Sequence, residues 1–142
     1  MNGEPRYLLD TSVAVPLLMV SHEAHAMVDA WATGRELGLA GHALAETYSV
    51  LTRFPGEARI SPADAVKLID DNFPLSGMLS PALASQTHRE LEHCGVSGGA
   101  TYDGLVALAA REHEAVLVTR DARAQVTYHA VGAQVIVLTH LF

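Results

Sequence analysis

The chain has 142 residues, 49% of them hydrophobic, with a formal net charge of −7 and one cysteine. That size and apolar content suit one domain with a real core and exclude a disordered chain, while no apolar run nears the roughly 18 residues of a membrane span. The acidity argues against a protein that coats nucleic acid by bulk charge, though not against one that cuts it at a metal site.

Met1 to Arg6 lacks the basic start and apolar stretch of a signal peptide. Lone Cys94 forms no internal disulfide; the two observations place the expected home in a reducing cytoplasm, away from membranes. Eight of the nine cations are arginine, the side chain that binds phosphate with two hydrogen bonds at once.

Tyr7-Leu8-Leu9 reads as a short buried strand ending at Asp10. Residues 11–20 and 22–33 read as helices, Leu37 to Ala40 as a second strand, and 42–54 as a helix stopped by Pro55-Gly56. Ser61-Pro62 and Ser80-Pro81 each place a serine cap before a proline at the first helical position. The second of these helices is expected to run to Cys94, with Ser76 to Leu79 a short strand before it. Thr101 is expected to cap a helix over 102–114. Ala115 to Val118 follows as a strand, Asp121 opens a further helix, and Gln134 to Leu138 is a β-branched final strand. Strands alternating with helices imply an α/β fold, a mainly parallel sheet covered on both faces. No repeat or linker divides the sequence, so residues 1–142 read as one domain.

In a parallel sheet each strand's carboxyl end and the next helix's N-terminus share one edge, where ligands bind. Asp10 and Asp121 directly follow strands, while Glu46 and Asp103 fall in the first turns of helices. All four carboxylates are therefore expected on one rim. Asp103 and Asp121 taken singly also suit ordinary helix-start acids. Glu46 lies in an otherwise apolar helix and needs a partner there. Acids this close repel and raise one another's pKa unless a cation sits among them. An all-oxygen set suits Mg²⁺ or Mn²⁺ rather than zinc.

Leu9-Asp10-Thr11-Ser12, Ala45-Glu46-Thr47-Tyr48, Thr101-Tyr102-Asp103-Gly104-Leu105-Val106-Ala107-Leu108-Ala109 and Thr119-Arg120-Asp121 occur in that order. With Leu51 to Gly56 leading into Ser61 to Ala65, they resemble the PIN-domain ribonucleases, and more narrowly the VapC toxins of type II toxin–antitoxin pairs, over essentially the whole chain. The resemblance implies a PIN-like three-layer α/β/α sandwich and a metal-dependent endoribonuclease. Asp10 and Asp103 match the principal Mg²⁺ ligands, Glu46 and Asp121 complete the catalytic quartet, and Thr119 supports the metal shell. Arg53 and Arg120 are candidate RNA contacts. Gly104 stands where many relatives carry alanine. The resemblance further implies a cognate VapB-type antitoxin, a homodimer, a toxin–antitoxin hetero-oligomer, and products with 5′-phosphate and 3′-hydroxyl ends. The rival reading is the same fold as a non-catalytic module binding RNA or a partner. A DNA-directed flap nuclease needs arches and clamps that this length does not accommodate.

Eight histidines invite a zinc site, but His22/His25 and His88/His93 beside Glu92 have no HExxH spacing and no third ligand. The glycines at 95, 98 and 99 lack a following Lys-Ser/Thr and form no P-loop. Leu17, Leu18, Met19, Val28 and Trp31 suit either a partner groove or ordinary core.

Overall fold

The computed structural model describes residues 4–139. Met1 to Gly3, part of the stretch read for a signal peptide, lie outside it. Four short strands, β1 (Tyr7–Leu9), β2 (Leu37–Leu39), β3 (Val116–Thr119) and β4 (Gln134–Val137), form one sheet in the order β2-β1-β3-β4. Every pairing is parallel, with Leu8 opposite Gly38 and Leu117, and Leu9 opposite Leu39 and Val118.

Because side chains alternate along a strand, adjacent leucines of β1 feed two different cores. Leu8 and Leu117 face one layer, α6 (Thr87–His93), α7 (Thr101–Glu112) and α8 (Ala124–Val131), where they pack with Leu91, Val106, Leu108 and Tyr128. Leu9 and Val118 face the other, made of α1 (Thr11–Leu18), α2 (His25–Ala32), α3 (Ala43–Arg53) and α4 (Pro62–Asn72). Val13, Val28, Leu51 and Ile69 fill that side. Each buried leucine contributes about 1.5–3 kcal/mol, so strands of three or four residues are held by packing on both faces as much as by their ladder. The expected three-layer α/β/α sandwich is what forms. Val28 and Met19 are core, and Leu17, Leu18 and Trp31 pack half-buried against it.

Three local expectations are corrected. Residues 76–79 form no strand: only Ala40 and Gly77 make a β-bridge. The segment does follow β2, with Leu75 N–H bonded to Leu37 O and Gly77 N–H to Leu39 O. The Ser76 hydroxyl takes the Leu39 N–H at 2.9 Å, where a strand would offer a carbonyl. The helix expected to reach Cys94 breaks into α5 (Pro81–Ala84) and α6. At the break the Ser85 and Thr87 hydroxyls turn back onto the Ala82 and Ala84 carbonyls, a competition that interrupts helices. Thr101 is not a cap but the first residue of α7, led in by a 3₁₀ turn over Gly98–Ala100.

The chain passes from β1 to β2 on one side and later places β3 on the other. The order of strands thus reverses between β1 and β3, and the crevice beyond their carboxyl ends is where such sheets bind ligands.

Candidate active site at the carboxyl edge of the sheet

β1 runs straight into Asp10, whose N–H still bonds to Val118 O, so the residue is positioned by the sheet itself. Its side chain is 4% exposed and caps α1. Oδ1 accepts from the Ser12 N–H at 3.0 Å and the Ser12 hydroxyl at 2.5 Å, and Oδ2 accepts from the Tyr128 hydroxyl at 2.7 Å. Burial pushes the Asp10 pKa up, and the hydroxyls of Ser12, Thr119 and Tyr128 pull partly against it.

Asp103 lies in the first turn of α7, its carboxyl raised by burial and then by the charges of Asp121 and Asp10. Glu46 lies in the first turn of α3 and is raised by burial; His42 works against that shift, and Asp103 and Asp10 add to it. The His42 Nε2 stands 3.9 Å from Glu46 Oε1. Asp121 caps the turn into α8 through the N–H groups of Arg123 and Ala124, as its helix-start reading expects. It also lines the cleft. Asp10, Glu46, Asp103 and Asp121 share one hollow of about 100 Å³ with Thr11, Ser12, Val106 and Tyr128.

Thr119, fully buried at the end of β3, accepts from the Asp121 N–H at 3.0 Å and lies 3.3 Å from the Ser12 hydroxyl. Ser12 Oγ in turn accepts from the Arg120 N–H at 2.8 Å. The loops after β1 and β3 are thus tied together beneath the acids. Arg120 turns its guanidinium onto Ser12 O at 3.3 Å. Arg53 sits at the far end of α3, on the Ser49 hydroxyl, and does not line the hollow. Two of the histidines set aside above serve structure: His25 Nδ1 lies 2.8 Å from Pro16 O, and His22 Nδ1 takes the Ala24 N–H.

Tyr128 is the residue that sequence reasoning missed. A signal was present, because an aromatic with a polar tip on the apolar face of α8 requires a partner for its hydroxyl. Burial and the Asp10 charge push its pKa far up, so it acts as a fixed donor.

Among the described residues, no three His, Cys, Asp or Glu side chains stand close enough together to hold a metal ion as they are. The chemistry of the donor set nonetheless fits a hard divalent cation: all are oxygens, and Asp103 and Glu46 are raised partly by neighbouring carboxylates, a repulsion that such an ion offsets.

The PIN domain family profile matches residues 7–130. The chain is 52% identical over 134 residues to ribonuclease VapC27 of Mycobacterium tuberculosis, covering 94% of this chain and 98% of that protein. It is 42% identical over 135 residues to ribonuclease VapC40 of the same species, covering 92% and 97%. Among solved structures, FitAcB from Neisseria gonorrhoeae superposes with a TM-score of 0.65 at 20% identity, over 95% of this chain and 99% of that one. The fold, the order of the motifs and these identities lead to one assignment: the chain belongs to the PIN-domain family and, within it, to the VapC ribonucleases.

Proposed function

We propose that the chain is the toxin of a toxin–antitoxin pair, an endoribonuclease that hydrolyses RNA phosphodiesters with Mg²⁺, for which Mn²⁺ substitutes. One observation carries this reading: four carboxylates from separate stretches line one hollow at the switch point of a parallel sheet. Among the described residues no lysine or arginine forms an ion pair with any of them.

Asp10 and Asp103 would hold the ion, with Glu46 and Asp121 acting through water or on a second one. A bound divalent ion supplies charge against the phosphate and makes water acidic enough to serve as nucleophile. Glu46 or Asp121 would orient the attacking water or take its proton. Attack on phosphorus breaks the bond to the 3′ oxygen, leaving 3′-hydroxyl and 5′-phosphate ends without consuming the 2′-hydroxyl. Ser12 and Tyr128 lock the Asp10 carboxylate from both oxygens, and Thr119 fixes the backbone that presents Asp121. Arg120 at the edge and Arg53 farther along α3 offer guanidinium to the RNA backbone. Kinship to the VapC proteins supports a VapB-type antitoxin, and an acidic hollow suits a basic segment of that partner; high salt then weakens the complex.

The test is cleavage of RNA by the purified chain with Mg²⁺ and with EDTA, followed by Asp10→Asn and Asp103→Asn. Chelation should abolish cleavage. Each variant should lose more than the roughly 100-fold that changing an outer-shell partner of a metal costs, while its circular dichroism stays native. Undiminished cleavage by both variants overturns the reading, and RNA binding without turnover by the wild type favours a binding module instead.

A further inference from the structure

His42 and Tyr102 meet beside the acidic hollow. His42 immediately precedes α3, one turn before Glu46, and Tyr102 immediately precedes Asp103 in α7. Their rings stack with centroids 5.2 Å apart and planes inclined at 29°. The histidine is tied to the hollow through Glu46, 3.9 Å away. Tyr102 is 56% exposed, although an aromatic ring contributes most to stability when buried. The other aromatic pair among the described residues, Tyr7 with Trp31, is edge-on and carries the Arg35 guanidinium over both rings.

We propose that the exposed surface of Tyr102, backed by His42, is a stacking platform for one unpaired nucleobase beside the scissile phosphate. The inference rests on the nuclease reading above and adds to it a residue outside the carboxylates that seats the base flanking the cut. Three considerations lead there. The ring pair meets the hollow through His42, 3.9 Å from Glu46, so a base flanking a phosphate held there is the part of the substrate that Tyr102 can reach. Bases inside a duplex are already stacked on each other, so only a splayed or looped base offers a ring face to protein. The chain is also acidic, with a net charge of −7, and affinity drawn from phosphate contacts is weak on such a surface. Stacking on a neutral ring supplies affinity that does not depend on cations and tolerates different bases.

The experiment uses a short RNA that the wild-type chain cleaves, with an abasic site or 2-aminopurine placed in turn at each nucleotide flanking the cut. Tyr102→Ala should raise KM about tenfold and lower kcat/KM in proportion, with Mg²⁺ affinity, read by calorimetry, unchanged. Tyr102→Trp should restore KM, since it keeps a stacking ring. At one flanking position the abasic substitution and Tyr102→Ala should cost no more together than either alone, and 2-aminopurine there should be quenched by the wild type and not by the alanine variant. Cleavage with unchanged KM overturns the platform and leaves the nuclease reading standing; so does a loss confined to antitoxin binding. No cleavage of any RNA by the wild type sinks both.

Discussion

The two ends of the central strands are built in opposite ways. At the amino edge charge is closed off: Arg6 donates to Leu75 O at 2.7 Å and Ser76 O at 3.3 Å and lies 3.0 Å from His113 Nδ1. His113 then reaches Met78 O, and Arg35 lies over the rings of Tyr7 and Trp31. A hollow of about 610 Å³ opens there, far larger than the acidic one, yet the arginines lining it are committed to protein carbonyls and rings. At the carboxyl edge the reverse holds. Asp10, Glu46 and Asp103 are raised above their ordinary range, and the stacked ring of Tyr102 is open to solvent. Strands of three or four residues separate an edge that stabilises from an edge whose carboxylates are held away from water and close to one another. Size of cavity is no guide to chemistry here; the state of its charges is.

The largest expected effect breaks the stabilising end alone. A Cβ on Gly38 would stand 2.1 Å from Leu75 O, a backbone atom that has nowhere to go because Arg6 holds it. Gly38→Ala should cost about 3 kcal/mol in urea unfolding with the Mg²⁺ affinity of the folded fraction unchanged; a stable variant refutes the close approach. Tyr128→Phe sharpens the contrast from the other end. It removes the donor on Asp10 Oδ2, and should weaken Mg²⁺ binding about tenfold for a stability cost of about 1 kcal/mol. Equal Mg²⁺ affinity by calorimetry leaves Tyr128 with packing only.

The smallest effect concerns pH. In EDTA, Asp10, Glu46 and Asp103 have folded-state pKa values raised above their unfolded ones. The folded chain therefore binds their protons more tightly. Their contribution to stability is fully present below the unfolded values and is lost as pH rises through the folded ones. The urea midpoint of the wild type should thus fall from acid to neutral pH more steeply than that of Asp10→Asn, and parallel slopes contradict the assignment.

Much of this edge was legible in sequence because strand ends and helix starts are local features: Asp10 and Asp121 follow apolar runs, and Glu46 stands out in an apolar helix. What escaped depends on where single hydroxyls turn and on contacts distant in sequence. The hydroxyls of Ser85 and Thr87 stop a helix that cap and periodicity extend, and Ser76 Oγ takes the place a strand carbonyl would fill. Gly104 is fitted to α6: a Cβ there would lie 2.5 Å from the Leu91 side chain. Tyr128 was visible only as a polar tip in need of a partner, and nothing near it in sequence names Asp10.

The Tyr128–Asp10 hydrogen bond spans 118 residues, and β1 lies between strands of which one comes more than a hundred residues later. At about 5–20 residues per second of synthesis, roughly 6–24 s separate the first of these side chains from the last. Topology thus orders the assembly of the site in time. Until β3 and α8 have been made the acids have no common edge on which to gather, so the cleft is completed only after the segment that carries Tyr128 has left the ribosome.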